Sequence, residues 1–364
     1  MVTRRKFVKD IASGTAGLAL LGGDPAGSFA RVSAQQTSPV RRREVSLAGR
    51  RIKVVDVHAH CAIPEIADVV RGSSLAGSAQ AQGTLVPGPG RLQYMDAQGI
   101  DVQALSINAF WYSADRELAR QLIKVQNEKL AAWCAAYPDR FVALASVALQ
   151  HPDLAAEQLD EAVKKLGLRG AAIGGSVEGE ELSARRFDPF WAKAEELGVV
   201  VFMHPQTAPG TTQNARLQGK GGLGNTIGNP LETTVFLSHL IFEGTLDRFP
   251  GLKICAAHAG GYLPSYSGRS DALCGRGSGG DCTALKKRPS EYFKKELFVD
   301  TMIFHEEGLR HLVAEMGVGQ IMYGTDYPYD WPVGVDFVLN APFLNDRERE
   351  AILGGNAAAM LRLT

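Results

Sequence analysis

His58 and His60 stand one residue apart at the end of an apolar run, Val54-Val55-Asp56-Val57, in a chain that holds only eight histidines. Residues two apart in a strand point the same way, so both imidazoles can face one metal ion. Three more polar residues close similar runs. His204 follows Val199-Val200-Val201-Phe202-Met203, His258 follows Ile254-Cys255-Ala256-Ala257, and Asp326 follows Ile321-Met322-Tyr323-Gly324-Thr325. A third imidazole and a carboxylate would complete a site for a borderline divalent ion such as zinc, with manganese as the alternative. An open position would hold a water whose pKa the ion lowers, giving a nucleophile or proton source near neutrality. The other histidines fit less well: His151 precedes a proline, His239 and His311 fall in helical patterns, and His305 follows the seventh apolar run as a candidate supporting residue. Cys61 reads as a small packing residue.

Some framework must bring these run ends together. Strands are predicted over 52–57, 101–107, 141–147, 169–173, 199–203, 252–257, 297–301 and 320–324. Helical patterns over 114–137, 153–166, 187–197 and 232–249 lie between them. Eight alternating pairs point to an α/β fold, a (β/α)8 barrel whose strand carboxyl ends share one mouth. A doubly wound sheet is the alternative. Two Gly/Ser/Ala-rich stretches, 71–90 and 206–230, follow the first and fifth strands and read as lids, substrate loops or plain surface insertions.

Composition narrows the class. The chain has 364 residues, 45% hydrophobic and 21% charged, as in ordinary globular proteins. With 39 residues of each sign it lacks the basic surface that bulk nucleic-acid binding needs. The opening differs: Thr3-Arg4-Arg5-Lys6-Phe7-Val8-Lys9, a short apolar stretch, then Ser28-Phe29-Ala30 and Val32-Ser33-Ala34 as small-x-small cleavage sites. Residues 1–34 are therefore expected to be a twin-arginine-type signal peptide, read by the twin-arginine export machinery. The apolar stretch is too short and glycine-broken for a membrane span. The mature chain would start near Arg31 or Gln35 and work in a bacterial periplasm, with 35–50 as a lead-in and 51–364 as one catalytic domain. Cys274 and Cys282 flank a glycine-rich loop where an oxidising compartment permits a disulfide. Cys134 and Cys255 read as core residues.

The HxH pair, the histidines after strands five and six, and Gly324-Thr325-Asp326-Tyr327-Pro328 resemble the amidohydrolase superfamily. More narrowly, the chain is similar to the branch related to aminocarboxymuconate-semialdehyde decarboxylase. The likeness runs from about Val54 onward, through Arg91-Leu92-Gln93-Tyr94-Met95-Asp96, Tyr137-Pro138-Asp139-Arg140-Phe141, Arg186-Phe187-Asp188-Pro189-Phe190-Trp191 and His258-Ala259-Gly260-Gly261-Tyr262-Leu263-Pro264. It implies His58, His60, His204 and Asp326 as ligands of one metal, usually zinc, with His258 as acid/base near the metal. It also places Arg269, eleven residues after His258, in the substrate region, where a guanidinium suits a carboxylate; a structural ion pair is the other reading. Decarboxylases of aromatic acids in this group often have an acidic residue at the first HxH position and Glu three after the strand-six histidine. Here those positions are His58 and Gly261, and a family His-Pro-Trp is His204-Pro205-Gln206.

A metal-dependent non-oxidative decarboxylase of a small unsaturated or aromatic carboxylic acid is expected, with homodimers implied by the resemblance. His258, Asp326 and Arg269 would be catalytic. Phe110, Trp111 and Tyr112 would wall the substrate pocket or belong to the core. A hydrolase of a lactone, amide or ester, using the same metal-bound hydroxide, is the second expectation. An exported binding protein on an inherited barrel is the third.

Overall fold

The computed structural model describes residues 41–363 apart from 80–82, 207, 209, 276–281 and 284. The expected signal segment lies outside the described residues. Eight parallel strands follow one another: β1 (Val55–His60), β2 (Val102–Ser106), β3 (Phe141–Ala143), β4 (Gly170–Ile173), β5 (Val200–Met203), β6 (Lys253–Ala256), β7 (Leu297–Asp300) and β8 (Ile321–Met322). They form a three-stranded and a five-stranded sheet, and two parallel bridges join them: Ala145 to Ala171, and Ala59 to Tyr327. Val57 N donates to Tyr323 O at 3.0 Å and His60 N to Tyr327 O at 2.8 Å across the second seam. The sheet therefore closes on itself as a barrel, and the doubly wound alternative is ruled out.

Helices cover the outside: α1 (Pro89–Gln98), α2 (Arg116–Ala136), α3 (Pro152–Lys164), α4 (Asp188–Leu197), α5 (Asn229–Phe242), α6 (Leu263–Cys274), α7 (Glu306–Met316) and α8 (Asn356–Met360). Proline in the first turn begins α1, α3, α4, α5 and α6, where its missing N–H costs no helix bond. The helix expected over 232–249 is two pieces: Gly244 takes φ 70 and breaks it before Thr245–Arg248. The first strand also starts later than expected and runs through both histidines, because Arg50–Arg51 pairs back on Ser46–Leu47 before the barrel begins. Cys274 and Cys282 are joined by a disulfide, with Cα atoms 5.4 Å apart. Cys255 is buried in the barrel, whereas Cys134 is only half-buried.

Two apolar layers result. The larger lies between strands and helices. The smaller fills the barrel, with Val55, Val57, Val102, Ala104, Leu144, Ala172, Val200, Phe202, Cys255 and Met322 facing inward. Ala357, Met360 and Leu361, in and just beyond α8, pack onto this interior and form its floor. Inward positions alternate as a pleated strand requires. At the carboxyl ends that regularity fails in three places. β1 carries a bulge between Asp56 and Ala59, and His258 and Asp326 adopt φ 56.

Candidate metal centre

Each irregularity places a functional side chain. Val55 and Val57 face the barrel interior, so strict alternation would turn His58 and His60 outward. The bulge changes the phase, and both imidazoles join the interior. In β6 the inward residues are Cys255 and Ala257, and the left-handed turn at His258 redirects the next side chain. Asp326 is turned in the same way beyond β8. Left-handed backbone at non-glycine residues costs about 1–3 kcal/mol each and is retained where neighbours over-determine it. His204 follows its strand's simple alternation, after Val200 and Phe202, and Asp326 keeps the parity of Met322.

The side chains converge. Ring centroids of His58 and His204 lie 5.0 Å apart, His60 and His204 4.5 Å, and His204 and His258 5.0 Å. His58 Nε2 is 3.1 Å from both His60 Nε2 and Asp326 Oδ1, and His60 Nε2 is 2.8 Å from Asp326 Oδ1. Ligand atoms of His58, His204, His258 and Asp326 all lie within 4.8 Å of one another. Four imidazoles and one carboxylate thus share a space suited to one ion, and this distance alone does not separate His60 from His258 as ligand.

Asp300, absent from the sequence reading, organises this cluster. It ends β7 fully buried, and its carboxylate accepts from His58 Nδ1 at 2.6 Å, Ala259 N at 2.8 Å, His258 N at 3.1 Å and Met302 N at 3.0 Å. Holding the Nδ1 proton leaves His58 Nε2 free for a cation, the usual arrangement behind a metal-bound imidazole. Its signal was available: an acidic residue closing the apolar run Leu297-Phe298-Val299. His305, the supporting residue expected there, is instead exposed at the start of α7. Asp56, likewise buried, accepts from His58 N, Gln103 Nε2, Thr325 N and Thr325 Oγ1 at 2.6–3.0 Å, tying the bulge to the turn before Asp326. Trp331 Nε1 donates to Asp326 Oδ2 at 2.8 Å. Gly324 permits the close packing, since a Cβ there would lie 2.9 Å from the Cβ atoms of both His58 and Asp300.

The electrostatics match a cation. Burial opposes charge on His58, but the Asp326 and Asp300 carboxylates outweigh it and push His58 up to about 10. Burial drives His60 and His204 below the ordinary imidazole value, and burial with His58 nearby takes His258 down to about 4. Burial alone would raise Asp326, yet His58 and His60 hold it well below the carboxylate range. The group is therefore built for one positive centre among neutral imidazoles. The buried Nδ1 atoms of His60, His204 and His258 have no protein partner. Borderline nitrogen donors with one carboxylate oxygen fit a single divalent metal.

A cleft of about 700 Å³ opens beside His204, lined in part by Asn108, Phe110, Tyr112, Gln206 and Tyr329. Phe110 and Tyr112 belong to it, as expected. Trp111 does not: it is wholly buried, with Nε1 donating to Val147 O at 3.0 Å. Arg269 is exposed on α6 and does not line the cleft. Gly261 takes φ 67, and a Cβ there would lie 2.2 Å from Pro230 O at the start of α5.

The amidohydrolase family model matches residues 55–363. A 2-amino-3-carboxymuconate-6-semialdehyde decarboxylase of Dictyostelium discoideum is 32% identical over 75% of this chain and 76% of its own length. A gamma-resorcylate decarboxylase of Rhodococcus jostii is 33% identical over 75% and 87%. The crystal structure of a 5-carboxyvanillate decarboxylase from Novosphingobium aromaticivorans, with manganese and 4-hydroxy-3-methoxy-5-nitrobenzoic acid, is 27% identical. It covers 86% of this chain and 96% of its own, with a TM-score of 0.76. The chain belongs to the amidohydrolase family, in the branch that holds these decarboxylases.

Proposed function

We propose that this chain is an enzyme that catalyses metal-dependent, non-oxidative decarboxylation of a small aromatic carboxylic acid. The observation that carries this reading is the union of buried His58, His60 and Asp326 and half-buried His204 with a fourth imidazole, His258, on the same mouth. Family membership supplies the reaction class: the relatives named above are decarboxylases. His58, His60, His204 and Asp326 are assigned as ligands and His258 as the proton carrier. The ion, when bound there, supplies a Lewis-acid point that orients the substrate. Three imidazole nitrogens to one carboxylate oxygen favour zinc, although the Novosphingobium relative holds manganese.

His258, neutral in the resting site, takes up a solvent proton and delivers it to the ring carbon bearing the carboxylate. The bond between that carbon and the carboxylate then breaks, its electron pair restores the ring, and carbon dioxide leaves. Asp300 accepts from His258 N and Ala259 N, and so fixes the left-handed turn that aims His258. The positively charged opening of the sequence supports export through the twin-arginine machinery to the periplasm, and the family resemblance supports a homodimer. N-terminal mapping of the mature chain and light scattering test these two points. Among the described residues no helix is long and apolar enough to cross a membrane.

The deciding experiment measures carbon dioxide against acid consumed by the metal-loaded protein over a panel of aromatic carboxylates. One-to-one release is expected, at a rate that falls by about 10²–10⁴-fold in His258→Ala. Hydrolysis of lactones, amides or esters with no carbon dioxide from any acid would replace this reading with the hydrolase.

A further inference from the structure

Asp326 presents its two oxygens to different neighbours. Oδ1 lies 2.8 Å from His60 Nε2 and 3.1 Å from His58 Nε2, within the imidazole group. Oδ2 instead accepts from Trp331 Nε1 at 2.8 Å. The chain doubles back to make this contact: Tyr329 N donates to Asp326 O and Trp331 N to Tyr329 O, both at 3.1 Å. The indole ring is supported in turn by Phe304, with ring centroids 5.0 Å apart and planes at 39°. Phe304 belongs to the segment that follows β7 and Asp300, so this stack joins the loops after β7 and β8. Phe304 is exposed and Trp331 half-buried, which sets the stack at the rim of the mouth rather than in the core.

An indole N–H can only donate, and its bond to a charged acceptor is of the strong kind. A carboxylate can give a metal one oxygen or two. With Oδ2 held by Trp331, Asp326 has Oδ1 left for an ion among the histidines. One oxygen and three imidazole nitrogens make four protein donors, a low count that zinc accepts with room for one further ligand. A second oxygen would make five, and with an open position approach the octahedral, oxygen-richer set that suits manganese. The donor count, and with it the choice of ion, therefore turns on one N–H.

We propose, resting on the metal-ligand assignment above, that Trp331 is a positioning residue that holds Asp326 to one ligating oxygen and so biases the centre toward zinc over manganese. Competition with a chromogenic chelator, run separately on zinc-loaded and manganese-loaded protein, measures both affinities without turnover. Trp331→Phe keeps a ring against Phe304 and removes the N–H. Zinc is expected to bind it about tenfold or more weakly while manganese changes less, so the ratio of the two affinities falls by about tenfold. Phe304→Ala keeps the N–H and removes its support; it should lower the ratio by a smaller factor, and it carries the test if Trp331→Phe fails to fold by circular dichroism. Fluorescence gives a second readout among the chain's four tryptophans. Trp111 and Trp191 donate to Val147 O and Leu182 O, and Trp133 packs on Tyr137 and Phe141, whereas Trp331 touches a metal ligand. The emission change on metal loading should therefore vanish in Trp331→Phe. An unchanged affinity ratio in Trp331→Phe, or in Phe304→Ala where only that variant folds, overturns the proposal, as does an emission change that survives in Trp331→Phe. Wild-type protein without stoichiometric metal overturns the ligand assignment and this role with it. Failure of the decarboxylase reading is seen separately, as no carbon dioxide from protein that meets both metal tests.

Discussion

Val55, Val200 and Met322 near the floor of the barrel, and His58, His204 and Asp326 at its mouth, sit on the same strands or their extensions within a few residues of one another. The floor keeps strict inward-outward alternation and is filled by β-branched, small and sulfur-containing side chains. The mouth departs from regular strand backbone at one bulge and at left-handed His258, Ala259 and Asp326, and buries titratable groups. One end is therefore optimised for packing. The other holds strained backbone and crowded imidazoles, stabilised by the buried carboxylates of Asp56 and Asp300. Stability and chemistry are separated along the barrel axis by roughly one turn of the strand pattern.

Four measurements test that separation. The largest effect is expected at the mouth: His204→Ala should lose stoichiometric metal and lower turnover on the order of a thousandfold or more, several kcal/mol of transition-state stabilisation. Its melting temperature should change less than that of a floor variant, since the buried His204 Nδ1 has no partner to lose; a collapse in melting temperature would break the comparison. Leu144→Ala at the floor should reverse the pattern, costing about 2–5 kcal/mol of unfolding free energy by denaturant titration while activity per folded molecule persists. Asp300→Asn lies between the two, weakening metal binding by about 10–100-fold in a chelator competition, because it frees the His58 ring that it orients.

The smallest effect concerns the loop beside the cleft. Glu232, buried at the start of α5, accepts from Gln206 N, Thr211 Oγ1 and Thr212 Oγ1, and burial lifts it from 4.5 to about 7. A raised folded-state value means the folded chain holds the proton more tightly than the unfolded one. Its stabilising contribution is full below about pH 4.5 and is lost as pH rises through about 7. Wild-type stability should fall across that window, by on the order of 1 kcal/mol, relative to Glu232→Gln. Parallel melting curves for the two proteins at pH 5 and pH 8 would remove Glu232 as the titrating group.

The floor was legible in the sequence because period-2 patterns and run lengths report packing directly, and seven of the strands lie within their expected spans. β1 was the exception, misplaced by three residues at the bulge that matters most. At the mouth, the residue types and their positions after strands were readable, but not the backbone that aims them. Neither a bulge nor a left-handed Asp326 follows from propensity, since the bulge leans on Thr325 and Tyr327 across the seam and the turn at Asp326 leans in return on Asp56 and His60. Trp111 and Phe110, adjacent in sequence, could not be divided between core and cleft without the fold. Arg269 was placed near substrate by analogy of spacing, whereas its face of α6 is exposed. Asp300 was missed because a single acidic residue at a strand end looks like any other cap.

Gly261 also limits what this chain can become. Its left-handed backbone abuts Pro230 O so closely that no side chain can be added without moving the start of α5. A glutamate at this position is therefore more than one substitution away. An evolutionary or engineered crossing would have to pass through a shifted α5, and with it Glu232 and the loop it holds, so the glycine and glutamate forms of this turn occupy separate basins rather than neighbouring points on one slope.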